Sequence, residues 1–181
     1  MIVMTESELL TQMVQSADST DHGGLHVDLQ LALASTSSEN LPSQSQFEQW
    51  AKIAYDSVKD IKALPNDNEV TLRLVDADEM QELNESYRGK PKPTNVLSFP
   101  FEVPEGVGVA LLGDIVICHQ VVITEAESQS KTVYQHYAHM VTHGILHLCG
   151  YDHEESTEAD EMEALEVKIL AKSDLPNPYI V

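Results

Sequence analysis

The chain has 181 residues, a length typical of one domain, and 42% of them are apolar, which is enough to bury a core. No apolar run is long enough to cross a membrane, the N-terminus lacks the features of a signal peptide, and Cys118 and Cys149 are too few for a disulfide scaffold. We therefore expect a cytoplasmic protein without membrane association. The net charge of −20 argues against nucleic-acid binding through a general basic surface, although seven of the ten basic residues fall between positions 52 and 92.

The chain begins with a polar stretch, residues 1–24, which is predicted to be a flexible extension. Residues 25–33 alternate between apolar and polar side chains and predict a half-buried strand. After Pro42, Ser43 and Gln46 are spaced as a capping box and predict the start of a helix. The predicted buried face of this helix consists of residues that recur at helical spacing: Phe47, Trp50, Ala51, Ala54 and Val58.

The rest of the pattern predicts three more strands and four more helices. The strands are residues 70–76, residues 95–101 at an edge of the sheet, and the more buried residues 112–118. The helices are residues 78–87, 119–127, 130–148 and 155–171. Strands interleaved with helices are typical of an α/β or α+β sandwich, so residues 25–172 are predicted to form a single domain, followed by a C-terminal tail of residues 173–181.

Three histidines near the end of the longest predicted helix have the spacing of a metal site. His143 and His147 are four residues apart, so they project from one face of the helix and can reach the same ion. Gly150 stands where a helix favours a left-handed terminating residue, which lets the chain turn back and bring His153 towards the other two. Three neutral imidazoles leave one tetrahedral position open for water, as in catalytic zinc sites. The sequence therefore predicts one zinc ion per chain, bound by these three histidines.

The same spacing occurs in the H-E-x-x-H-x-x-G-x-x-H motif of metzincin proteases, with one difference. The first histidine is followed here by Gly144 instead of the glutamate that acts as general base in zinc proteases. Gly144 either leaves room for a bulky phosphodiester or allows close packing against another element. The missing glutamate argues against peptide hydrolysis by the usual route but leaves metal binding intact.

The chain resembles the YbeY family of bacterial endoribonucleases, which act in rRNA maturation. The family motif H-G-x-L-H-L-x-G-Y-D-H matches residues 143–153 without a gap. The resemblance covers most of the chain, residues 25–172, and includes these further segments: 72–76, 82–84, 87–90, 93–101, 112–117 and 161–166.

The resemblance implies a zincin-like α+β fold, in which a small mixed sheet of about four strands packs with about five helices. The metal site is implied on a long helix and the turn after it. The implied activity is that of a zinc-dependent, single-strand-specific endoribonuclease, acting in the cytoplasm in 16S rRNA 3′-end maturation and ribosome quality control. The implied partners are single-stranded RNA, rRNA, the small ribosomal subunit and other ribosome-associated proteins.

Cleavage of a phosphodiester needs a cation for the developing negative charge, and Arg73 is the predicted one. A guanidinium grips phosphate with two parallel bonds and stays charged at any working pH. From the residues alone, a lone arginine on a strand is more typical of a surface ion pair, and it is the resemblance that implies a functionally important arginine at this position. His143 is predicted to take part in catalysis as well as in metal binding. Arg88, Lys90 and Lys92 are predicted to hold the RNA backbone at the rim of the site.

Other polar residues near the motif have less specific interpretations. His139 could reach His143 along the helix, and like His119 and His136 it is predicted to pack or to orient a metal ligand. Asp152 could orient a ligand imidazole or cap the following helix.

Two other functions stay open from the sequence alone. The first is a different zinc hydrolase, such as a peptidase or amidase, which the missing glutamate and the basic residues 88–92 disfavour. The second is a non-catalytic ribosome-assembly factor in which zinc only stabilises the fold. In that case Asp114 or another carboxylate would close the fourth metal position.

Overall fold

The computed structural model describes residues 24–34, 41–101, 110–152 and 155–180. Four strands and five helices follow one another in these residues: β1 Leu25–Ala32, α1 Gln44–Val58, β2 Asn68–Val75, α2 Ala77–Arg88, β3 Val96–Pro100, β4 Leu111–Cys118, α3 His119–Ser128, α4 Val133–Leu148 and α5 Ser156–Ala171. Within the described ranges, no helix is both long and apolar enough to cross a membrane. The predicted extension, residues 1–24, lies outside the described residues apart from Gly24.

The strands form one mixed sheet in the order β1-β2-β4-β3. β1 pairs in parallel with β2, and β2 with β4, whereas β3 runs antiparallel to β4. The predicted α+β class is therefore confirmed. As expected from its prolines β3 lies at an edge, and as expected from its apolar run β4 lies inside the sheet.

The larger part of the core lies between one face of the sheet and the helices α1, α4 and α5. Leu72 and Leu74 of β2 point to this face and are fully buried, as is Ile115 of β4. Full burial of such a side chain stabilises the fold by about 1.5–3 kcal/mol. Because side chains alternate along a strand, Arg73 points to the opposite face of the sheet.

Helix α2 covers only part of that opposite face. A smaller hydrophobic cluster packs beneath it: Val75, Met80, Leu97, Val116 and Cys118. Beyond this cluster, the same face carries the half-buried Arg73 and the exposed Asp114. As far as the described residues show, the sheet is thus fully packed on one side and partly open on the other.

The start of helix α4 is set by a capping box. The Thr132 hydroxyl accepts a hydrogen bond from the Gln135 backbone N–H at 3.1 Å, and the Gln135 side chain accepts one from the Thr132 backbone N–H at 2.9 Å. The sequence pattern predicts a start at residue 130. The helix starts three residues later because Ser130 has a φ of 54°, outside the right-handed helical region.

The end of helix α4 is set by Gly150, which has a φ of 83° as predicted for a left-handed terminator. The Gly150 N–H donates to the His147 carbonyl at 2.9 Å, and the Tyr151 N–H donates to the Leu146 carbonyl at 3.0 Å. These two bonds form a Schellman motif, which reverses the chain directly after the second histidine.

Candidate active site

His143 and His147 form the centre of the candidate site. They lie one turn apart on α4, with their Nε2 atoms 3.0 Å apart and their ring centroids 4.6 Å apart. Both side chains are half-buried and line a cavity of about 520 Å³, the histidine cavity. The structure thus brings together two of the three predicted metal ligands.

The two Nε2 atoms fit a shared metal ion. A tetrahedral zinc ion with Zn–N bonds of about 2.0–2.1 Å holds two nitrogens about 3.3 Å apart. The 3.0 Å between His143 and His147 lies within a few tenths of an ångström of that distance. The third predicted ligand, His153, lies outside the described residues. Among the residues that the structure describes, no group of three His, Cys, Asp or Glu side chains is placed to hold a metal ion.

A buried carboxylate orients the first histidine. Glu166 of α5 is fully buried, and its Oε1 accepts a hydrogen bond from His143 Nδ1 at 2.8 Å. Because an ionised carboxylate only accepts, His143 carries its proton on Nδ1 and presents the Nε2 lone pair to His147 and the cavity. A carboxylate behind a histidine ligand is the usual arrangement around protein-bound zinc, since it fixes both the tautomer and the ring orientation.

Glu166 receives two further hydrogen bonds. Its Oε2 accepts from His139 Nε2 at 3.0 Å and from the hydroxyl of Tyr179 in the C-terminal tail. His139, predicted to pack or to orient a ligand, thus contacts the same carboxylate as His143. Three donors around one carboxylate compensate for its removal from water.

Glu166 stays ionised despite its burial. Burial alone would raise the pKa of the carboxyl, but the hydrogen bonds from His139 and His143 outweigh burial and lower the pKa to about 2. Burial lowers the pKa of His139, so a neutral imidazole donates to the carboxylate. Burial and the neighbouring Glu166 charge raise the pKa of the Tyr179 hydroxyl, which keeps it a donor.

Two other histidines have partners away from the histidine cavity. His136 Nε2 lies 2.7 Å from Glu125 Oε2, and His119 Nδ1 lies 2.6 Å from the hydroxyl of Tyr137. Both histidines are buried, and neither lines the histidine cavity. Their contacts support packing roles.

The turn after α4 contributes Asp152 to the cavity. Tyr151 is buried in the core, and the Lys62 ammonium lies 3.9 Å from the centroid of its ring. Lys62 also donates to the Gly150 carbonyl at 3.3 Å, which anchors the turn from the side of α1. Asp152 is exposed and is the one carboxylate among the described residues that line the cavity.

Gly144 allows close packing, the second of its two predicted roles. A Cβ atom added at Gly144 would lie 2.8 Å from both Cδ1 and Cγ2 of Ile115 in β4. Gly144 is buried and does not line the histidine cavity. The absence of a side chain therefore brings α4 against the sheet and does not enlarge the cavity.

The predicted basic rim is divided. Arg88, the last residue of α2, lines the histidine cavity together with polar residues from the following segment: Thr94, Asn95 and Ser98. Lys90 and Lys92 are exposed on the loop between α2 and β3 but do not line the cavity. Arg88 is thus the cation of this group that is placed next to the histidines.

Arg73 lies apart from the histidines, on the other face of the sheet. Its Nε and its second terminal nitrogen donate to Glu79 at 2.9 and 3.3 Å, and its first terminal nitrogen donates to Gln30 at 3.3 Å. It lines a separate cavity of about 530 Å³, the Arg73 cavity, which also contains Asp114. Asp114 therefore faces the Arg73 cavity rather than the histidines, which removes it as a candidate for a fourth metal ligand.

Glu166 and Tyr179 were not found from the sequence. Glu166 does carry a signal, because it falls on the apolar stripe of α5 between the buried Met162 and Ile169. A charged residue on a buried stripe indicates a buried partner that carries the opposite charge or donates hydrogen bonds to it. Tyr179 follows the last helix and has no periodic neighbours, so the sequence offers no such signal for it.

The chain is also similar to proteins of known family and known fold. A family model described as Endoribonuclease YbeY matches residues 33–174. A curated Endoribonuclease YbeY from Colwellia psychrerythraea is 49% identical over 155 residues, which cover 85% of this chain and 96% of that protein. The solution structure of TM1509 from Thermotoga maritima matches with a TM-score of 0.51 and 26% identity, covering 82% of this chain and 91% of that one.

Proposed function

The chain belongs to the YbeY endoribonuclease family, and on that premise we propose that it is a zinc-dependent hydrolase that cleaves single-stranded RNA. Zinc dependence is supported by one observation: the Nε2 atoms of His143 and His147 lie 3.0 Å apart in an open cavity, and Glu166 accepts a hydrogen bond from the Nδ1 atom of His143. We further propose a cytoplasmic role in 16S rRNA 3′-end maturation and ribosome quality control. The partners proposed are rRNA, the small ribosomal subunit and other ribosome-associated proteins.

His143, His147 and His153 are the residues that would hold the zinc ion. When bound, zinc supplies a Lewis acid for a phosphoryl oxygen and lowers the pKa of a water molecule. Glu166 keeps the His143 proton on Nδ1, so that Nε2 faces the cavity.

Two side chains in the histidine cavity are proposed to act on the RNA. Arg88, which lines the cavity, would bind a backbone phosphate through paired N–H bonds. Asp152, the one carboxylate among the described lining residues, would accept a proton from the attacking hydroxyl or water.

Arg73 is proposed to act mainly in substrate binding, because its guanidinium lies across the sheet from the histidines and is engaged by Glu79 and Gln30. We expect Arg73→Ala to raise KM about tenfold and to change kcat little, at retained zinc content. This corresponds to the loss of about 1.4 kcal/mol of binding. Steady-state kinetics on an RNA oligonucleotide checks it. A fall in kcat with unchanged KM would instead support the transition-state role predicted from the sequence.

The zinc and RNA parts are tested together by measuring metal content and cleavage of single-stranded RNA for wild type and His147→Ala. We expect about one zinc per wild-type chain and loss of both zinc and cleavage in the variant. His26→Ala is the matched control, because His26 is exposed on β1, outside both cavities. Zinc without cleavage, alone or with ribosomes, would support the assembly-factor alternative. A wild-type protein purified without metal would contradict the zinc site.

The rRNA role has its own test. Depletion of the protein in its source organism is expected to leave small-subunit rRNA with an extended 3′ end, measured by mapping of RNA ends. Normal 3′ ends in depleted cells would contradict the rRNA role while leaving the nuclease activity standing.

A further inference from the structure

The Arg73 cavity lies on a part of the sheet that helices normally cover. β1, β2 and β4 run parallel, and parallel sheets are nearly always packed on both faces. Among the described elements, helix α2 leaves this part open, and the strands present polar side chains there, among them Gln30, Arg73 and Asp114. Exposed polar side chains on the face of parallel strands are typical of a binding surface and not of a core.

The wall of the Arg73 cavity carries an aromatic platform. Tyr87 of α2 is 67% exposed, and its ring packs edge-on against Phe99 of β3 with centroids 4.8 Å apart. This contact holds the Tyr87 ring in place, so that little side-chain freedom is lost when a ligand stacks on it. Single-stranded RNA is typically bound by stacking unpaired bases on exposed aromatic rings of this kind.

The charges of the Arg73 cavity suit a base better than a phosphate. Among its described lining residues the one guanidinium, Arg73, is already paired with Glu79, and Asp114 adds a second carboxylate. A phosphate would meet this net negative balance with repulsion. Carboxylates instead accept N–H bonds from exocyclic amino groups. Guanine matches best, since its Watson–Crick edge offers two adjacent donors to a carboxylate and its O6 accepts from arginine.

The Arg73 cavity and the histidine cavity lie back to back across strand β3. Ser98 lines the histidine cavity and its neighbour Phe99 lines the Arg73 cavity, and at the end of α2 the neighbours Arg88 and Tyr87 divide in the same way. In the part of the sheet that the structure describes, no strand pairs with the outer edge of β3. An RNA strand that passes around this edge reaches both cavities.

We propose that the Arg73 cavity binds an unpaired guanine of the substrate strand, at a fixed distance from the phosphate held in the histidine cavity. Tyr87 stacks on the base, and Asp114 accepts hydrogen bonds from its N1–H and 2-amino groups. The proposal rests on the proposed function and names a specificity site for it.

The test uses short RNAs with a single cleavage site, in which guanine at each flanking position is replaced in turn by inosine. Inosine lacks only the 2-amino group, so it removes one of the two proposed bonds to Asp114. We expect one position at which inosine raises KM about tenfold with kcat unchanged, in line with the discrimination of one base contact. In Asp114→Asn protein, guanine and inosine at that position should be cleaved with equal KM.

Tyr87→Ala tests the stacking platform, and Tyr87→Phe is its matched control because it keeps the ring. We expect KM to rise about tenfold in the alanine variant for RNAs with any base at that position, and to stay near wild type in the phenylalanine variant. Thermal unfolding of both variants checks that the loss of the Phe99 contact has not unfolded the protein. If Tyr87→Ala does unfold it, the Asp114→Asn series still decides.

Binding of the same RNAs to His147→Ala protein, measured by fluorescence anisotropy, separates the two levels of failure. Wild type that cleaves RNA with equal KM for guanine and inosine at every position would overturn the guanine site alone. Wild type that cleaves no RNA, together with His147→Ala protein that binds none, would overturn the proposed function itself.

Discussion

Glu166 is the residue whose position explains most about the histidine cavity. A fully buried carboxylate costs several kcal/mol of solvation unless donors surround it, and three do so here. Two of the donors lie on α4, His139 and His143, and the third, Tyr179, lies in the tail. The hydrogen bonds to this buried carboxylate therefore join α4, α5 and the tail, and they hold the His143 ring that faces the cavity.

We expect Glu166→Gln to weaken zinc binding by about 10–100-fold, because a neutral amide accepts the His143 Nδ1–H more weakly than a carboxylate and does not raise the basicity of the ring. Titration with a competing chelator measures this directly. Tyr179→Phe removes one donor and keeps the carboxylate, so it should weaken zinc binding less. Glu158→Gln, an exposed position on the same helix, is the control. Equal zinc affinity in wild type and Glu166→Gln would show that Glu166 only stabilises the fold.

The same carboxylate predicts a pH dependence of stability. The pKa of Glu166 is lowered from an ordinary value of 4.5 to about 2 in the folded protein. Between these values the unfolded chain binds more protons, so the stabilisation is complete above pH 4.5 and is lost as the pH falls towards 2. Urea unfolding of metal-free protein at a series of pH values checks this. Glu166→Gln should show a shallower loss of stability across that window, and an equally steep loss would contradict the assignment.

At the scale of elements, the fit between α4 and β4 decides where the histidines stand. We expect Gly144→Ala to destabilise the protein by about 1–3 kcal/mol, because the added Cβ would overlap Ile115. Alanine has the better helix propensity, by about 1 kcal/mol, so packing and propensity oppose each other and packing wins. Denaturant unfolding measures the difference.

The overlap can be relieved to test its cause. Ile115→Val removes the Cδ1 atom, so Gly144→Ala should cost less in that background than in wild type. Gly89→Ala is the matched control, because Gly89 has a φ of 65° with nothing near its added Cβ. It should lose stability through backbone strain alone and show no coupling to Ile115. A Gly144→Ala protein as stable as wild type would contradict the packing role.

At the scale of the whole molecule, a net charge of −20 is unusual for a protein that binds RNA. The long-range field repels a polyanion, so binding must depend on local cations and on base contacts. Arg88, Lys90 and Lys92 follow one another closely along the chain at the end of α2 and in the loop after it, and each is exposed. They can release counterions from only a few phosphates.

We therefore expect a weak salt dependence of RNA binding, with a slope of log K against log salt of about −2 for three phosphate contacts to a single strand. The combined change of Arg88, Lys90 and Lys92 to alanine should bring this slope close to zero. Anisotropy titrations over a range of salt concentrations measure both slopes. A steep slope in wild type that the triple variant retains would place the RNA backbone on another surface.

The domain boundaries predicted from the sequence, residues 25–172 with a tail after them, stay a prediction. The tail nevertheless contributes to the site, since Leu175 packs against the core and Tyr179 bonds Glu166. Tyr179 also lies beyond residue 174, where the match to the family model ends.

The sequence by itself determined what depends on local geometry. His143 and His147 had to share a face because a helix repeats every 3.6 residues, and Gly150 had to end that helix because glycine tolerates a positive φ. The strands were predicted from the alternation of apolar and polar side chains, and the edge position of β3 was predicted from its prolines. Both patterns act within a few residues of the chain. The described residues contain no test of His153, which stays a predicted ligand.

Only the tertiary structure decided which side chains from distant segments meet. Glu166 faces His143 because α5 packs on α4, and Arg73 faces away from the histidines because of the side of the sheet on which α4 packs. Neither relation follows from spacing along the chain, since strand order and helix placement depend on the whole core. The sequence could name Arg73 as a phosphate-binding residue, but its place beside Glu79 and Asp114, across the sheet from the metal site, required the fold.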